Sequence, residues 1–462
     1  MNCAAFRPTF LVLLVLGSAA ACGDDGGEDG RGDDDGSAGA EAGSGGRAGS
    51  DSGGDAGGAS GMGGSGRSGE GGASGARAGR GGEGGGGSGE AGAGGGDPGA
   101  AFVLEQISVG SDVSCGVRAD GTLWCWGRNT SGHALGEPAA EVVGATQLGT
   151  DDDWAYVAAA ALFRCALKND GAVLCWGSGG PGGELGRPWN AANDDSYPPQ
   201  AIAAAGPWAS LSTHTDRACA IAVDGALYCW GGMPPDPDGT PEQVGSETDW
   251  EQVSVGAEHG CGLKQSGALY CWGSNEYGQL GQGGLTPSES SSTEPFDGIA
   301  SSVDPLRVGS DTDWTTVASG REHSCARKDN GAIYCWGNND EGELGTGDVQ
   351  LRSMPAAVLS ARAYAQLFAG GTTSCAITTS DELLCWGKLH DETAFGGMAR
   401  SNLPAPVSGG HDWKSVDLDD ALHACGLTTD GSAYCWGANH EGMLGDATSD
   451  DRPGLTPPTP PG

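Results

Sequence analysis

Seven times along this chain two cysteines stand ten positions apart, the second followed by Trp-Gly. The pairs are Cys115 and Cys125, Cys165 and Cys175, Cys219 and Cys229, Cys261 and Cys271, Cys325 and Cys335, Cys375 and Cys385, and Cys425 and Cys435. Between the partners, apolar residues flank a turn dipeptide such as Asp170-Gly171, Asp224-Gly225, Asn330-Gly331 or Asp430-Gly431. Such dipeptides supply the positive φ of a tight hairpin. In the second copy the midpoint is Asp170, so a three-residue turn ending in Gly171 sets the two cysteines opposite one another, the register of a cross-strand disulfide. Metal binding is the rival reading, but nine intervening residues is not a zinc-knuckle spacing and no His cluster accompanies the pairs. By loop entropy each bridge contributes on the order of 2 to 3 kcal/mol, less in a hairpin that already holds its own ends together. The expected role of these cysteines is structural.

The repeat extends upstream of each pair. A large apolar residue sits eleven positions before the first cysteine, as Leu104, Trp154, Trp208, Trp250, Trp314 and Tyr364, with Trp413 one position further away. Three residues later comes Ile107, Val157, Leu211, Val253, Val317, Leu367 or Val416, which marks another strand. Earlier still, Pro241 to Val244, Pro305 to Val308, Pro355 to Val358 and Pro404 to Val407 read as a short fourth strand with Pro at its start. Four short strands per period of roughly 50 residues, repeated, is the pattern of a propeller blade array.

After the Cys-Trp-Gly come turns such as Asn275-x-x-Gly278-x-Leu280-Gly281, Asn339-x-x-Gly342-x-Leu344-Gly345 and Asn439-x-x-Gly442-x-Leu444-Gly445. The composite, clearest from Trp250 to Gly281 and Trp314 to Gly345, resembles the repeat of the regulator of chromosome condensation family. The resemblance covers nearly all of residues 102–457 and implies an all-β fold, a single seven-bladed β-propeller with about four antiparallel strands per blade. The first repeat lacks a Pro-x-x-Val strand while Pro453-Gly454-Leu455 follows the last, so the C-terminal strand is expected to complete the first blade and close the ring. The regular cysteine pairs depart from the eukaryotic family and suit an exported variant. Blade three replaces the Asn turn with Met233 to Gly239, and blade six degrades it to Lys388 to Gly396.

Outside the expected propeller, residues 101–457, the chain divides by composition. Residues 1–21 carry Arg7, the apolar run Phe10 to Leu16 and small residues up to Ala21, which reads as an export signal. Ala19-Ala20-Ala21-Cys22 resembles a bacterial lipoprotein cleavage box that leaves Cys22 as a lipidated first residue, with ordinary cleavage after Ala-x-Ala as the alternative. Sixteen cysteines less Cys3 and Cys22 leave seven pairs, which fits an oxidising compartment. Residues 23–100 contain no Val, Leu, Ile, Phe, Tyr or Trp. With nothing apolar to bury they cannot offset their ordering entropy, so residues 22–100 are expected to form a disordered, Gly-rich, acidic tether. Residues 458–462 are a Pro-rich tail.

Chemistry is sparse. His259, His323 and His423 each precede a cysteine by two residues, while Val113, Phe163, Arg217 and Thr373 hold that place elsewhere; the expected role is a hydrogen bond to backbone rather than a metal ring. The acidic turns Asp151-Asp152-Asp153, Glu247-Thr248-Asp249 and Asp311-Thr312-Asp313 recur in equivalent blades and are expected to cap their own backbone. No nucleophile elbow, phosphate loop or HExxH occurs, and no catalytic residue, metal or cofactor is assigned. A net charge of −38 argues against nucleic acid and against adsorption to anionic lipid. Two connections after the Cys-Trp-Gly turn are long, Arg187 to Pro198 with Trp189 and Tyr197, and Gln282 to Asp304 with Phe296, and these three aromatics are the candidate binding anchors.

The expectation is a monomeric, non-enzymatic interaction or adhesion propeller, held to the membrane only by its N-terminal lipid. It would face the periplasm or exterior of a bacterial envelope and engage a protein or glycan through one loop face. Guanine nucleotide exchange on a small GTPase, the activity best known for the resembled family, and a propeller glycosidase or lyase are the alternatives.

Overall fold

The computed structural model describes residues 103–459, apart from 133, 137–141, 181, 189–194, 205, 233–238, 284–300, 390–392 and 419–422. The described strands form seven four-stranded antiparallel sheets, each built from four consecutive strands: residues 106–147, 154–201, 208–243, 250–307, 314–357, 364–406 and 413–456, here blades 1 to 7. This is the seven-bladed propeller expected from the repeat.

Blade 5 illustrates how the repeat encodes a blade. Its strands are Trp314–Ser319, His323–Lys328, Ile333–Gly337 and Arg352–Ala357. On the first strand Trp314 and Val317 turn into the sheet stack while Thr315 stays exposed. The second strand is buried from His323 to Ala326, because each blade is sandwiched between two others. The fourth strand is the edge and is half-buried or exposed throughout, which is where a proline is tolerated. Pro355 does not begin that strand, as the sequence pattern implied, but lies within it, where the register slips between the pairs Cys335↔Ala356 and Gly337↔Arg352. A bulge needs no regular ladder donor, so proline costs little there.

Every cysteine expected to form a disulfide does so with the partner ten positions away. Cys115 is bonded to Cys125, Cys165 to Cys175, Cys219 to Cys229 and Cys261 to Cys271. Cys325 is bonded to Cys335, Cys375 to Cys385 and Cys425 to Cys435. In each blade the two cysteines face each other across the second and third strands, with Cα atoms 4.0–4.1 Å apart. The bonded cysteines lie in the clusters between adjacent blades rather than on the surface. The turn glycine serves blade spacing as well as the hairpin. At Gly225, φ is +86° and a Cβ would stand 2.1 Å from the carbonyl oxygen of Thr248 in the connection to the next blade. The Gly225 carbonyl in turn accepts the Trp250 N–H at 3.2 Å.

Ring closure differs from the sequence expectation. The C-terminal strand, Arg452–Thr456, pairs within blade 7, and blade 1 supplies its own fourth strand, Val142–Gln147. The latter carries no proline and so escaped the pattern. Closure uses contacts between whole blades: Leu104 N–H donates to Gly431 O at 3.0 Å, Val103 bridges to Ser432, and Lys414 pairs with Glu105 at 3.0 Å.

Candidate functional site: inter-blade clamps and the axial channel

The histidines before the cysteines reach into the next blade. His259 Nε2 meets Ser324 Oγ at 2.9 Å, His323 Nε2 meets Ser374 Oγ at 2.9 Å, and His423 Nε2 meets Ser114 Oγ at 2.8 Å, the last across the ring closure. Each serine directs its own hydroxyl proton to a loop carbonyl of the preceding blade, at Gln279, Glu343 and Met443 respectively. That proton being used, the imidazole must be the donor, which fixes the Nε2–H tautomer. The same carbonyls of Gln279 and Met443 also accept the indole N–H of Trp336 and Trp126, at 2.9 and 2.8 Å. The histidines therefore bond a side chain of the neighbouring blade rather than backbone. Burial pushes His259 and His323 down to about 3, so the clamp carries no charge at neutral pH.

The pairing runs through all seven boundaries. A blade carries His two residues before its first cysteine only where the next blade has Ser one residue before its own, and lacks it where the next blade has Arg164, Ala218, Gly260 or Ala424. At the boundary of blades 1 and 2 an ion pair takes over, the fully buried Arg164 meeting Asp112 at 3.1 Å. Removing one partner of a neutral hydrogen bond costs about 1 kcal/mol, and coupled residues reveal themselves in a double-mutant cycle. His323→Ala and Ser374→Ala should each lower stability by about 1 to 2 kcal/mol, while the double variant falls short of their sum by about 1 kcal/mol in urea denaturation.

The acidic turns have a different role from self-capping. Lys328 Nζ lies 2.6 Å from Asp311 and 3.0 Å from Asp313, and 4.8 Å above the ring of Trp314. Lys168 repeats this with Asp151, Asp153 and Trp154, and Lys264 with Glu247, Asp249 and Trp250. Each turn thus holds an ammonium over the indole that opens the first strand.

The first strands of all seven blades line an axial cavity of about 340 Å³. Most of its polar residues join neighbouring first strands. The Gln106 amide both donates to Val157 O and accepts from Val157 N–H, at 2.8 and 3.0 Å, and Gln252 does the same with Val317. Ser108, Ser212 and Ser254 accept the N–H groups of Ala159, Val255 and Ser319. In blade 7 the equivalent residue is Asp417, whose Oδ2 accepts Val109 N–H at 2.8 Å. Burial in the channel wall pushes this carboxyl up to about 6 against the hydrogen bonds it receives from Ser108 and the Val109 and Leu418 amides. Tyr156 stands in blade 2 where blades 1 and 4 have Gln, and burial, then the nearby Asp417, holds its phenol protonated.

Regulator of chromosome condensation (RCC1) repeat models match residues 105–132, 250–279, 314–343 and 421–442, and a second such model matches 266–327 and 330–377. The chain carries RCC1 repeats over these stretches. Among curated relatives, the X-linked retinitis pigmentosa GTPase regulator of dog (Canis lupus familiaris) is 34% identical over 136 residues, 29% of this chain and 12% of that protein. The mitochondrial RCC1 domain-containing protein RUG3 of Arabidopsis thaliana is 32% identical over 79 residues, 17% of this chain and 18% of that protein. The chain thus spans less than a fifth of the length of either. Of solved structures, human WBSCR16 superposes with a TM-score of 0.63 at 16% identity, over 75% of this chain and 95% of that one. Prp20p of Saccharomyces cerevisiae gives 0.58 at 18%, over 69% and 81%. These structural likenesses concern the fold.

The sequence-predicted anchors are Trp189, Tyr197 and Phe296. Trp189 and Phe296 lie outside the described residues, and Tyr197 is described only as backbone, in the fourth strand of blade 2. Cys22, the export signal and the tether also lie outside them. The residues the sequence reading missed are Ser114, Ser324 and Ser374, and the axial pair Tyr156 and Asp417. A signal for both sets was available, in the complementarity of His and Ser between successive repeats and in the column of first-strand residues where Asp417 replaces Ser.

Proposed function

We propose that this protein is an exported interaction propeller, anchored through Cys22 and the 22–100 segment, that binds a protein or glycan through the face carrying the connections after the Cys-Trp-Gly turns. The observation that carries this reading is the use to which the repeated polar residues are put. His and Ser are engaged between blades and the lysines with the acidic turns, so the chemistry common to the repeats holds the ring together. Specific recognition then falls to what differs between blades, and the long connections differ most. Solved proteins of similar fold have protein partners, Kap60 for yeast RCC1 and Gsp1p and histones for Prp20p, which favours protein over glycan. Nucleotide exchange on a cytosolic GTPase is the weaker reading, because seven buried disulfides match an oxidising compartment.

The test is affinity capture from envelope and culture-supernatant fractions with the oxidised protein, beside a variant carrying Trp189→Ala, Tyr197→Ala and Phe296→Ala. A partner captured by the parent and lost from the variant supports the loop face. Equal capture by both moves the site off these loops.

A further inference from the structure

The boundary of blades 2 and 3 lacks the ties between first strands that join blade 1 to blade 2. Blade 2 has Tyr156 and Ala158 in the columns where blade 1 has Gln106 and Ser108, so it has neither the amide nor the hydroxyl that ties blade 1 to blade 2. On the facing strand of blade 3, Thr213 Oγ1 is buried in the wall of the axial cavity with no hydrogen-bond partner. Buried hydroxyls are rarely left unpaired, and one beside a cavity calls for something within it to pair with. The space is sufficient. The axial cavity of about 340 Å³ adjoins a second of about 500 Å³ on the face of the cysteine-hairpin turns, and both are bounded by Tyr156, Leu211, Gln252 and Thr316. A pocket of about 300 Å³ or more takes a small organic ligand.

From these groups we infer that the channel at the boundary of blades 2 and 3 binds a neutral polyhydroxy compound of monosaccharide size, with Tyr156 and Thr213 as its hydrogen-bonding anchors. The charge of the walls selects against anions. Among the described lining residues of both cavities there is no Lys or Arg, while Glu251, Asp313 and Asp329 stand at the outer one, so phosphates and sugar acids are disfavoured. A metal ion is disfavoured as well, since Asp417 already accepts hydrogen bonds from Ser108 and from backbone, and no group of three metal-ligating side chains occurs among the described residues. Leu211, Val253 and Ala158 alternate with the hydroxyls, which suits the apolar faces and polar rim of a sugar ring.

The experiment is saturation-transfer NMR and thermal denaturation of the full oxidised protein with glucose, galactose, N-acetylglucosamine and myo-inositol, and with glucuronate as the charged control. Expected is saturation transfer to at least one neutral probe, a raised Tm in its presence and none with glucuronate. Thr213→Val and Tyr156→Phe keep side-chain shape and each should weaken binding by about tenfold, the value of one hydrogen bond. The inference is overturned if no neutral probe binds, the channel then holding solvent alone, or if binding is undiminished in Tyr156→Phe, the variant that preserves the ring and its packing. Both outcomes are independent of what the loop face captures.

Discussion

Full reduction should unfold the propeller. Each disulfide closes a ten-residue separation within a hairpin, worth on the order of 2 kcal/mol once the hairpin's own order is allowed for. Seven together exceed about 10 kcal/mol, comparable with the entire stability of an ordinary domain. The hydrophobic content cannot make up the difference easily, because many of a blade's apolar residues are small and the ring is held by many local contacts rather than one large core. Most of the paired cysteines are fully buried, so reductant reaches them only as blades open. The expected observation is that thiol appearance and loss of the strand signal in circular dichroism proceed together under dithiothreitol. The apparent Tm should fall by about 20 °C or more, on the order set by the entropy of unfolding. A single-blade change, Cys325→Ala with Cys335→Ala, should leave a folded ring with a smaller loss. Retention of the native Tm by the fully reduced chain would remove the argument that this fold depends on an oxidising compartment.

The cysteine register was legible because a ten-residue spacing and a central Asp-Gly or Asn-Gly admit few arrangements, and the structure pairs Cys325 with Cys335 as the spacing requires. The first strands were legible for a similar reason, Trp314 and Val317 being buried on the side their spacing implies. What a repeat hides is the contact between repeats. His323 and Ser374 are 51 residues apart, and reading each blade separately made the histidine look like a backbone ligand. Lys328 and Asp311 are separated by a whole strand, so the acidic turn read alone suggested self-capping. Ring closure was missed because Val142–Gln147 carries none of the prolines that mark other fourth strands, which left the C-terminal strand as the apparent substitute. Asp417 shows the limit from the other side. A carboxylate in a strand is unremarkable until the column is aligned and it is found where other blades place Ser.

Glu343→Gln should stabilise the protein above neutral pH and leave it nearly unchanged in mild acid. Glu343 is 1% exposed at the boundary of blades 5 and 6, and its carbonyl is the acceptor for the Ser374 hydroxyl of the His323 clamp. Burial pushes its carboxyl up to about 7, against the hydrogen bonds from its own N–H and that of Glu341, and the neighbouring Asp340 and Glu341 add to the rise. A group whose pKa is higher folded than unfolded favours the folded state while protonated. That contribution is complete below the ordinary value of 4.5 and is lost as pH rises through about 7. Ionisation of the buried carboxyl therefore costs up to about 3 kcal/mol at pH 8, by the usual 1.4 kcal/mol per unit. Glutamine removes that cost without disturbing the loop, because blade 4 already uses it. Gln279 occupies the equivalent place and its Oε1 accepts Tyr277 N–H at 2.9 Å, as Glu343 Oε2 accepts Glu341 N–H at 2.8 Å. Urea denaturation of parent and variant from about pH 4.5 to 8.5 isolates the effect, since the titration of every other carboxylate is common to both. The difference should be near zero at the acid end and grow through about pH 5 to 7 to about 1 to 3 kcal/mol in favour of the variant. A difference that stays flat across this range would mean that Glu343 is ionised at no cost in the folded ring, and that its buried position is satisfied by donors other than the two amides that reach it.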